Sequence, residues 1–485
     1  MITKLKKIRN NIVSVISLQF LALILNIFTF GIIARILSVS DFGRFSYLLV
    51  VFGFIAKIID FGINPIVFRE TTKNNNFSEY LGSTLTFKAV LIFFLLIVIN
   101  LFSYVNKSPI EEIVLLNLFV LNIYFSNKYT NIRGLLNIPF QVNLRMSLPM
   151  TLVLFDGVLL LILTILFQPF IKNLLYFVVI YVFANIPSTI VLLFLLIKNE
   201  KIILKYKKKV LMHTLKEALP IYGYSIFSML YKQIDVFLLG ILNDERSVAL
   251  YSTSIRLSIP LMIVASAITV TFFPIIVEKL KNNRDIGQIV SSVIKTMLVI
   301  SIAISLLISF HAEKIITFIF SEKYLLSSRS LIFLSISLVF SFNVFFFIDL
   351  LTALKKQKIN FYYSLALSVL SIPFYLYILP QFSYVGAAVV RLVLIFIGSL
   401  FLFLYLLNFV KIKLNILRII TWILFNIFIF QFILNDDSLI MIIFKVLILF
   451  GSVFIFKIFN KTELNLIFSA LLKREYVEKL NGFFK

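Results

Sequence analysis

Read only for its hydrophobic and polar positions, the chain is a succession of long apolar runs separated by short, mostly basic, polar stretches. The runs are continuous and lack the strict alternation of a membrane strand, and most reach the roughly 20 residues that a helix needs to cross a bilayer. Fourteen such segments are predicted, at 11–36, 42–67, 80–104, 110–132, 142–167, 173–197, 218–242, 247–276, 287–310, 326–354, 360–380, 384–409, 416–434 and 438–459. The first is too long for a removable signal peptide and has no small-residue cleavage site. The pattern therefore predicts an all-α membrane protein of about 14 transmembrane helices.

The longest polar stretch, Lys198 to Glu217, divides the first twelve spans into six and six. Across it the chain matches itself at an offset near 206: Gly43-Arg44-Phe45-Ser46 resembles Ala249-Leu250-Tyr251-Ser252, Pro65 to Glu70 resembles Pro274 to Lys279, and Lys88 falls on Lys295. An even number of spans per half makes both halves enter the membrane from the same side. The repeat is then parallel, with a pseudo-two-fold along the membrane normal, the symmetry of transporters that bind substrate between their halves. The expected organisation is a six-helix lobe at 1–198, a basic cytoplasmic linker at 199–217, a second six-helix lobe at 218–410, two appended helices within 411–460, and an amphipathic tail at 461–485 on the inner surface.

Composition agrees with the pattern: 61% of the 485 residues are hydrophobic and only 14% charged. No soluble core hides that much apolar surface. There is no Cys, which excludes disulfides, thiolate metal sites and a Cys nucleophile, and the two His residues, His213 and His311, form no metal-ligand motif. No phosphate-binding glycine motif occurs, so nothing points to a nucleotide-driven motor or to any cofactor.

Charge changes the picture more. Lys and Arg number 46 against 22 acids, a formal net charge of +24. With the N-terminus in the cytoplasm, 31 of the basic residues fall on inner segments, 8 on outer ones and 7 within spans. This bias is the positive-inside signature; it places both termini in the cytoplasm and the basic rim against anionic membrane lipids. The run from Lys201 to Lys209 is read in the same way, and not as a nucleic-acid site.

The charges within the spans carry the functional information, because each is costly at bilayer depth. Lys57 with Asp60, and Lys232 with Asp235, have the i,i+3 spacing of pairs on one helix face. Each pair is either structural or a gating or ion-coupling element. Lys88, Arg256, Lys295 and Arg391 have no opposite charge within four residues and must find partners across the bundle or face a watery cavity. Arg35 sits near the outer end of the first span, where it would line a cavity mouth. Cations around a cavity suit an anionic substrate such as a phosphate or pyrophosphate. Snorkelling to a headgroup is the plain alternative; it suits Lys445 best.

The stretch from Ala34 to Ser46, the segment Gln233-Ile234-Asp235-Val236-Phe237-Leu238-Leu239-Gly240, and the turn from Leu379 to Ala388 with its Pro380 and Gly386-Ala387-Ala388 complete the picture. In order and spacing they resemble the polysaccharide repeat-unit flippases, the Wzx-type exporters of the multidrug/oligosaccharidyl-lipid/polysaccharide superfamily. Ala249 and Ser383 stand where such sequences often have Gly. The resemblance implies a transporter and not an enzyme. It would carry an undecaprenyl-pyrophosphate-linked oligosaccharide, an O-antigen or capsule-type unit, across the bacterial cytoplasmic membrane by alternating access. Polysaccharide polymerase and chain-length proteins are the partners it suggests. The cations Arg35, Lys88, Arg256, Lys295 and Arg391 would bind the head group. If a proton or sodium gradient drives the step, Asp60 or Asp235 is the candidate coupling acid.

Three rivals remain. A lipid II flippase of the same superfamily shares the cationic cavity, and a multidrug extruder would want acids there instead. An integral polysaccharide polymerase or ligase would need a large outer loop, and the longest here, near Ala312 to Leu325, offers only His311, Glu313 and Lys314.

Overall fold

The computed structural model of the protein describes residues 2–74, 76–129, 131–171, 173–199, 203–433 and 438–471. All regular elements among them are helices. Eleven are long and apolar enough to cross a membrane. The chain is thus a multi-pass, all-α membrane protein. The basic residues Lys473, Arg474, Lys479 and Lys485 of the expected tail lie outside the described residues.

Two compact units are present, one of residues 1–252 with 319–321 and the other of 253–318 with 322–485. The first holds α1 (Ile2–Ile36), α2 (Val39–Asp60), α3 (Ile63–Asn74), α4 (Phe77–Val105), α5 (Ile110–Phe125), α6 (Ile132–Val142), α7 (Ser147–Leu166), α8 (Leu174–Asn199), α9 (Lys208–Leu242) and the first half of α10 (Glu245–Ser258). The seventh span, in α9, therefore packs with the first six, against α2, α3 and α4. Ser38 starts α2 by accepting from the Asp41 amide at 3.0 Å. The predicted second span ends early because Phe61 and Gly62 both take positive φ, 52° and 66°. That turn, with Phe61 stacked on Tyr222 at 4.5 Å, sends α3 off in a new direction. Inside the unit Phe45 contacts Phe177 and Tyr181 edge-on at 5.0 and 5.2 Å. The outward side of α4 shows Phe93, Phe94, Leu101 and Phe102, as expected where lipid is the solvent.

The second unit holds the rest of α10, α11 (Met262–Lys281), α12 (Gly287–Phe310), most of α13 (Ala312–Phe320), α14 (Ser327–Ala353), α15 (Lys358–Leu407), α16 (Ile416–Phe428), α17 (Leu439–Ile455) and α18 (Lys461–Leu471). Hydroxyls tie its helices: Thr253 to Ser327 and Ser254 to Ser330 at 2.8 Å, Ser309 to Ser335 at 2.9 Å. Small polar side chains let membrane helices approach and bond across the contact. Buried Trp422 donates to Ser452 at 2.9 Å, joining α16 to α17, and both pack on Val299, Ile302 and Ala303 of α12.

The 14 predicted spans exceed the 11 helices that qualify by length and hydropathy for definite reasons. Helix α15 runs through the predicted eleventh and twelfth spans, divided only at Ser383, where φ is 48° and ψ −134°. α5 and α17, at the fourth and fourteenth spans, have only 16 and 17 residues. The positive φ of Ser383 is a conformation that Gly adopts at no steric cost.

One packing detail recurs in the two units. In the first unit the Lys207 amide donates to Ser83 Oγ at 2.8 Å, and the connecting chain passes over Gly82. In the second, the Lys413 amide donates to Ser291 Oγ at 2.9 Å, and the chain passes over Gly287. A Cβ at Gly82 would stand 2.5 Å from Lys205 N and O, and one at Gly287 would stand 2.6 Å from Lys411 O. Gly82→Ala and Gly287→Ala are each expected to cost about 1–3 kcal/mol of overpacking. Thermal unfolding of the purified variants checks this: unchanged midpoints would mean the connections do not rest on these glycines.

Candidate functional site

The break at Phe61 and Gly62 leaves Asp60 at the last position of α2, buried, with a lysine on each carboxylate oxygen. Lys57 Nζ, one turn back, lies 3.3 Å from Oδ2, so this predicted i,i+3 pair is present. Lys88 Nζ, from α4, lies 2.5 Å from Oδ1. Lys88 also donates to Asn64 Oδ1 at 3.0 Å and to the Asn131 carbonyl at 3.4 Å, and Asn131 in turn donates to the Ala56 carbonyl at 2.8 Å. Lys88 is 0% exposed. Its three acceptors satisfy the three N–H groups of an ammonium. Of its two expected alternatives, a partner across the bundle or a watery cavity, Lys88 takes the first, with a partner 28 residues away in sequence, and it is not open to a head group as the resemblance implied.

Beside this cluster is a cavity of about 350 Å³. It is lined by Leu49, Gly53 and Lys57 of α2, by Lys128 and Tyr129 of a single 3₁₀ turn, and by Ser225, Ser228, Met229, Lys232 and Gln233 of α9. Three of these residues are lysines, and among the described residues none that lines it is acidic. The polar remainder consists of hydroxyls and one amide. Gln233 Oε1 is buried and has no hydrogen-bond partner among the described residues. Three ammonium groups offer charge-assisted donors to an anion, and the hydroxyls and the amide acceptor suit a sugar.

Sequence reasoning named Lys57 and Lys232 but took them for separate local pairs. The predicted fourth span, 110–132, runs through Lys128. The structure ends α5 at Phe125, with Ser126 extended (ψ 131°), and the short turn Asn127–Tyr129 carries Lys128 into the lining. The polar stretch 126–131, Ser-Asn-Lys-Tyr-Thr-Asn, is the sequence signal of this break, and the predicted span runs through it. Arg133, just past that predicted span, is 1% exposed, with Nη1 2.5 Å from Asp156 Oδ2.

The other named residues lie apart from this lining. Asp235 is buried and accepts from the Tyr251 hydroxyl at 2.6 Å and from the Val236 amide at 2.8 Å. Arg35 Nε donates to the Ile319 carbonyl at 3.3 Å. Arg256, Lys295 and Arg391 belong to the second unit. Lys295 is buried, with Nζ 2.7 and 2.9 Å from the two oxygens of Glu463 on α18, so it too takes the first alternative, a partner distant in sequence, and is not open to a head group. Lys445 does not snorkel: it is 1% exposed and lies 3.2 Å from His311 Nε2. That contact also occupies the histidine beside the segment expected to form the longest outer loop.

A family profile described as "Polysaccharide biosynthesis protein" matches residues 8–280, more than half of the chain, and a MatE profile matches residues 220–376. A comparison with curated proteins finds no match. Among solved structures the chain is similar to the lipid II flippase MurJ in an inward closed conformation, at 18% identity and TM-score 0.75, covering 94% of this chain and 99% of that one. It is also similar to an inward-facing multidrug resistance MATE family transporter of the MOP superfamily, at 15% identity and TM-score 0.60, covering 81% and 95%. A third is a MOP superfamily transporter from Pyrococcus furiosus whose binding pocket has reversed polarity, at 14% identity and TM-score 0.57, covering 82% and 95%. At these identities the likeness is one of fold, and the folds are those of transporters and flippases.

Proposed function

The chain belongs to the polysaccharide biosynthesis protein family, and from that premise we propose that it is a flippase for a lipid-pyrophosphate-linked oligosaccharide. The proposed membrane is the bacterial cytoplasmic membrane, with both chain termini on the cytoplasmic side. One observation carries the reading: Lys57, Lys128 and Lys232 line one cavity that also presents Ser225, Ser228 and Gln233. The lysines would hold the pyrophosphate, and the hydroxyls and amide the first sugar. A cationic drug would meet three ammonium groups there and no acid, which argues against the multidrug extruder.

The cavity is bounded by α2 and α9, helices from the two halves of the sequence repeat. Alternating access then requires α9 to part from α2 on the side opposite to the one that admits the substrate. Coupling of this movement to a proton or sodium gradient, with Asp60 or Asp235 taking up the ion, stays a proposal. A pyrophosphate-linked saccharide is common to two substrates, and the fold shared with MurJ favours lipid II as the second reading.

Reconstituted vesicles separate them. Purified protein is inserted into liposomes carrying either an undecaprenyl-pyrophosphate oligosaccharide or lipid II, and leaflet exchange is read by access to an impermeant label. Faster exchange of the oligosaccharide is expected. Exchange of lipid II alone would move the assignment to the second reading, and exchange of neither would overturn both.

A further inference from the structure

Asp60 is one carboxylate between two lysines, and the two contacts are not alike. Lys88 holds Oδ1 at 2.5 Å, is fully buried, and has two further acceptors in Asn64 and Asn131. Lys57 stands 3.3 Å from Oδ2, retains 29% side-chain exposure and lines the cavity. The single negative charge is thus committed first to the buried lysine. The three groups together carry one net positive charge, and its accessible end is Lys57.

We propose that Lys88 is a positioning residue for anion binding: by neutralising Asp60 from behind, it keeps the charge of Lys57 available to a phosphate-bearing ligand. The inference rests on the reading of the cavity as an anion site. Without Lys88, Asp60 has only Lys57 as its counter-ion, and the pair turns inward as a neutral unit. Without Asp60, two positive charges stand beside the cavity instead of one. A purely structural role for this ion pair gives the same sign of effect for loss of either partner, because either loss leaves a buried charge alone. The electrostatic role gives opposite signs.

The test uses the full-length purified protein, with inorganic pyrophosphate as the probe, titrated by calorimetry, and thermal unfolding followed in parallel. K88M is expected to weaken binding roughly tenfold, D60N to tighten it by a similar factor, and D60N/K88M to return close to the wild-type affinity. Both single variants are expected to unfold at lower temperature, so the opposite affinity changes cannot be read as stability. If K88M does not fold, D60N and the charge-balanced D60N/K88M carry the test: tightening in the first and wild-type affinity in the second are both required. D60N and K88M shifting affinity in the same direction, or a double variant that stays far from wild type, overturns the inference. Absence of pyrophosphate binding by the wild type overturns the cavity reading itself.

Discussion

Replacing Lys57, Lys128 and Lys232 together by Gln is expected to abolish flipping while leaving the protein in the membrane. Each lysine offers the bound pyrophosphate a charge-assisted hydrogen bond, an interaction of about 1.5–3 kcal/mol. Losing all three corresponds to at least a thousandfold in affinity. Gln keeps comparable length and polarity, and all three side chains keep some exposure, Lys128 and Lys232 most. The change therefore leaves no apolar void, and Asp60, which loses Lys57, is still held by Lys88 at 2.5 Å. Calorimetry with pyrophosphate and the leaflet-exchange assay measure the two consequences, and the amount of protein in the membrane gives the control. Replacement by Arg is expected to recover part of the binding, since guanidinium also pairs with phosphate but needs a different approach geometry. A triple-Gln protein that exchanges its substrate at the wild-type rate would place the anion site elsewhere and remove the basis for the proposed function.

The sequence made the helices legible and their breaks obscure. Runs of apolar residues report where a helix is soluble in lipid, and α1, α4, α8 and α12 fall where hydropathy places them. Breaks depend on backbone conformation at single residues. Phe61 with Gly62 interrupts an apolar segment that hydropathy reads as continuous, whereas Ser126 opens a polar stretch, 126–131, that the predicted fourth span runs through. Those two interruptions build the candidate site, because one ends α2 at Asp60 and the other brings Lys128 to the cavity. The charges divide in the same way. Lys57 with Asp60 is legible because both lie on one helix, three residues apart. The partners of Lys88, Arg133 and Lys295 lie 28, 23 and 168 residues away. No local pattern encodes such distances; they follow from which helices pack. The net charge of +24 thus does not by itself single out Lys57, Lys128 and Lys232, which packing brings to one cavity wall.

The largest expected effect on stability belongs to the last of these pairs. Lys295→Met is expected to destabilise the second unit by about 3–5 kcal/mol, the usual result of removing one partner from a buried ion pair. Lys295 Nζ meets both oxygens of Glu463, and the Asn460 amide adds a third donor at 2.8 Å to Oε2, so the carboxylate is held by α12 and by the first turn of α18 together. In the Met variant Glu463 keeps the backbone donor but loses its counter-charge in a site where it is 4% exposed. Glu463→Ala leaves the ammonium of Lys295 in the same position, so a comparable loss is expected. The double variant Lys295→Met with Glu463→Leu removes both charges and fills the space with apolar atoms, and it should recover most of the lost stability. Thermal midpoints of the three purified variants provide the measurement. Recovery in the double variant would show that α18 is docked on α12 by a desolvated pair, which takes this part of the tail off the inner membrane surface where its amphipathic sequence placed it. Midpoints equal to wild type in both single variants would mean that solvent or lipid headgroups reach the pair, and that α18 rests on the membrane after all.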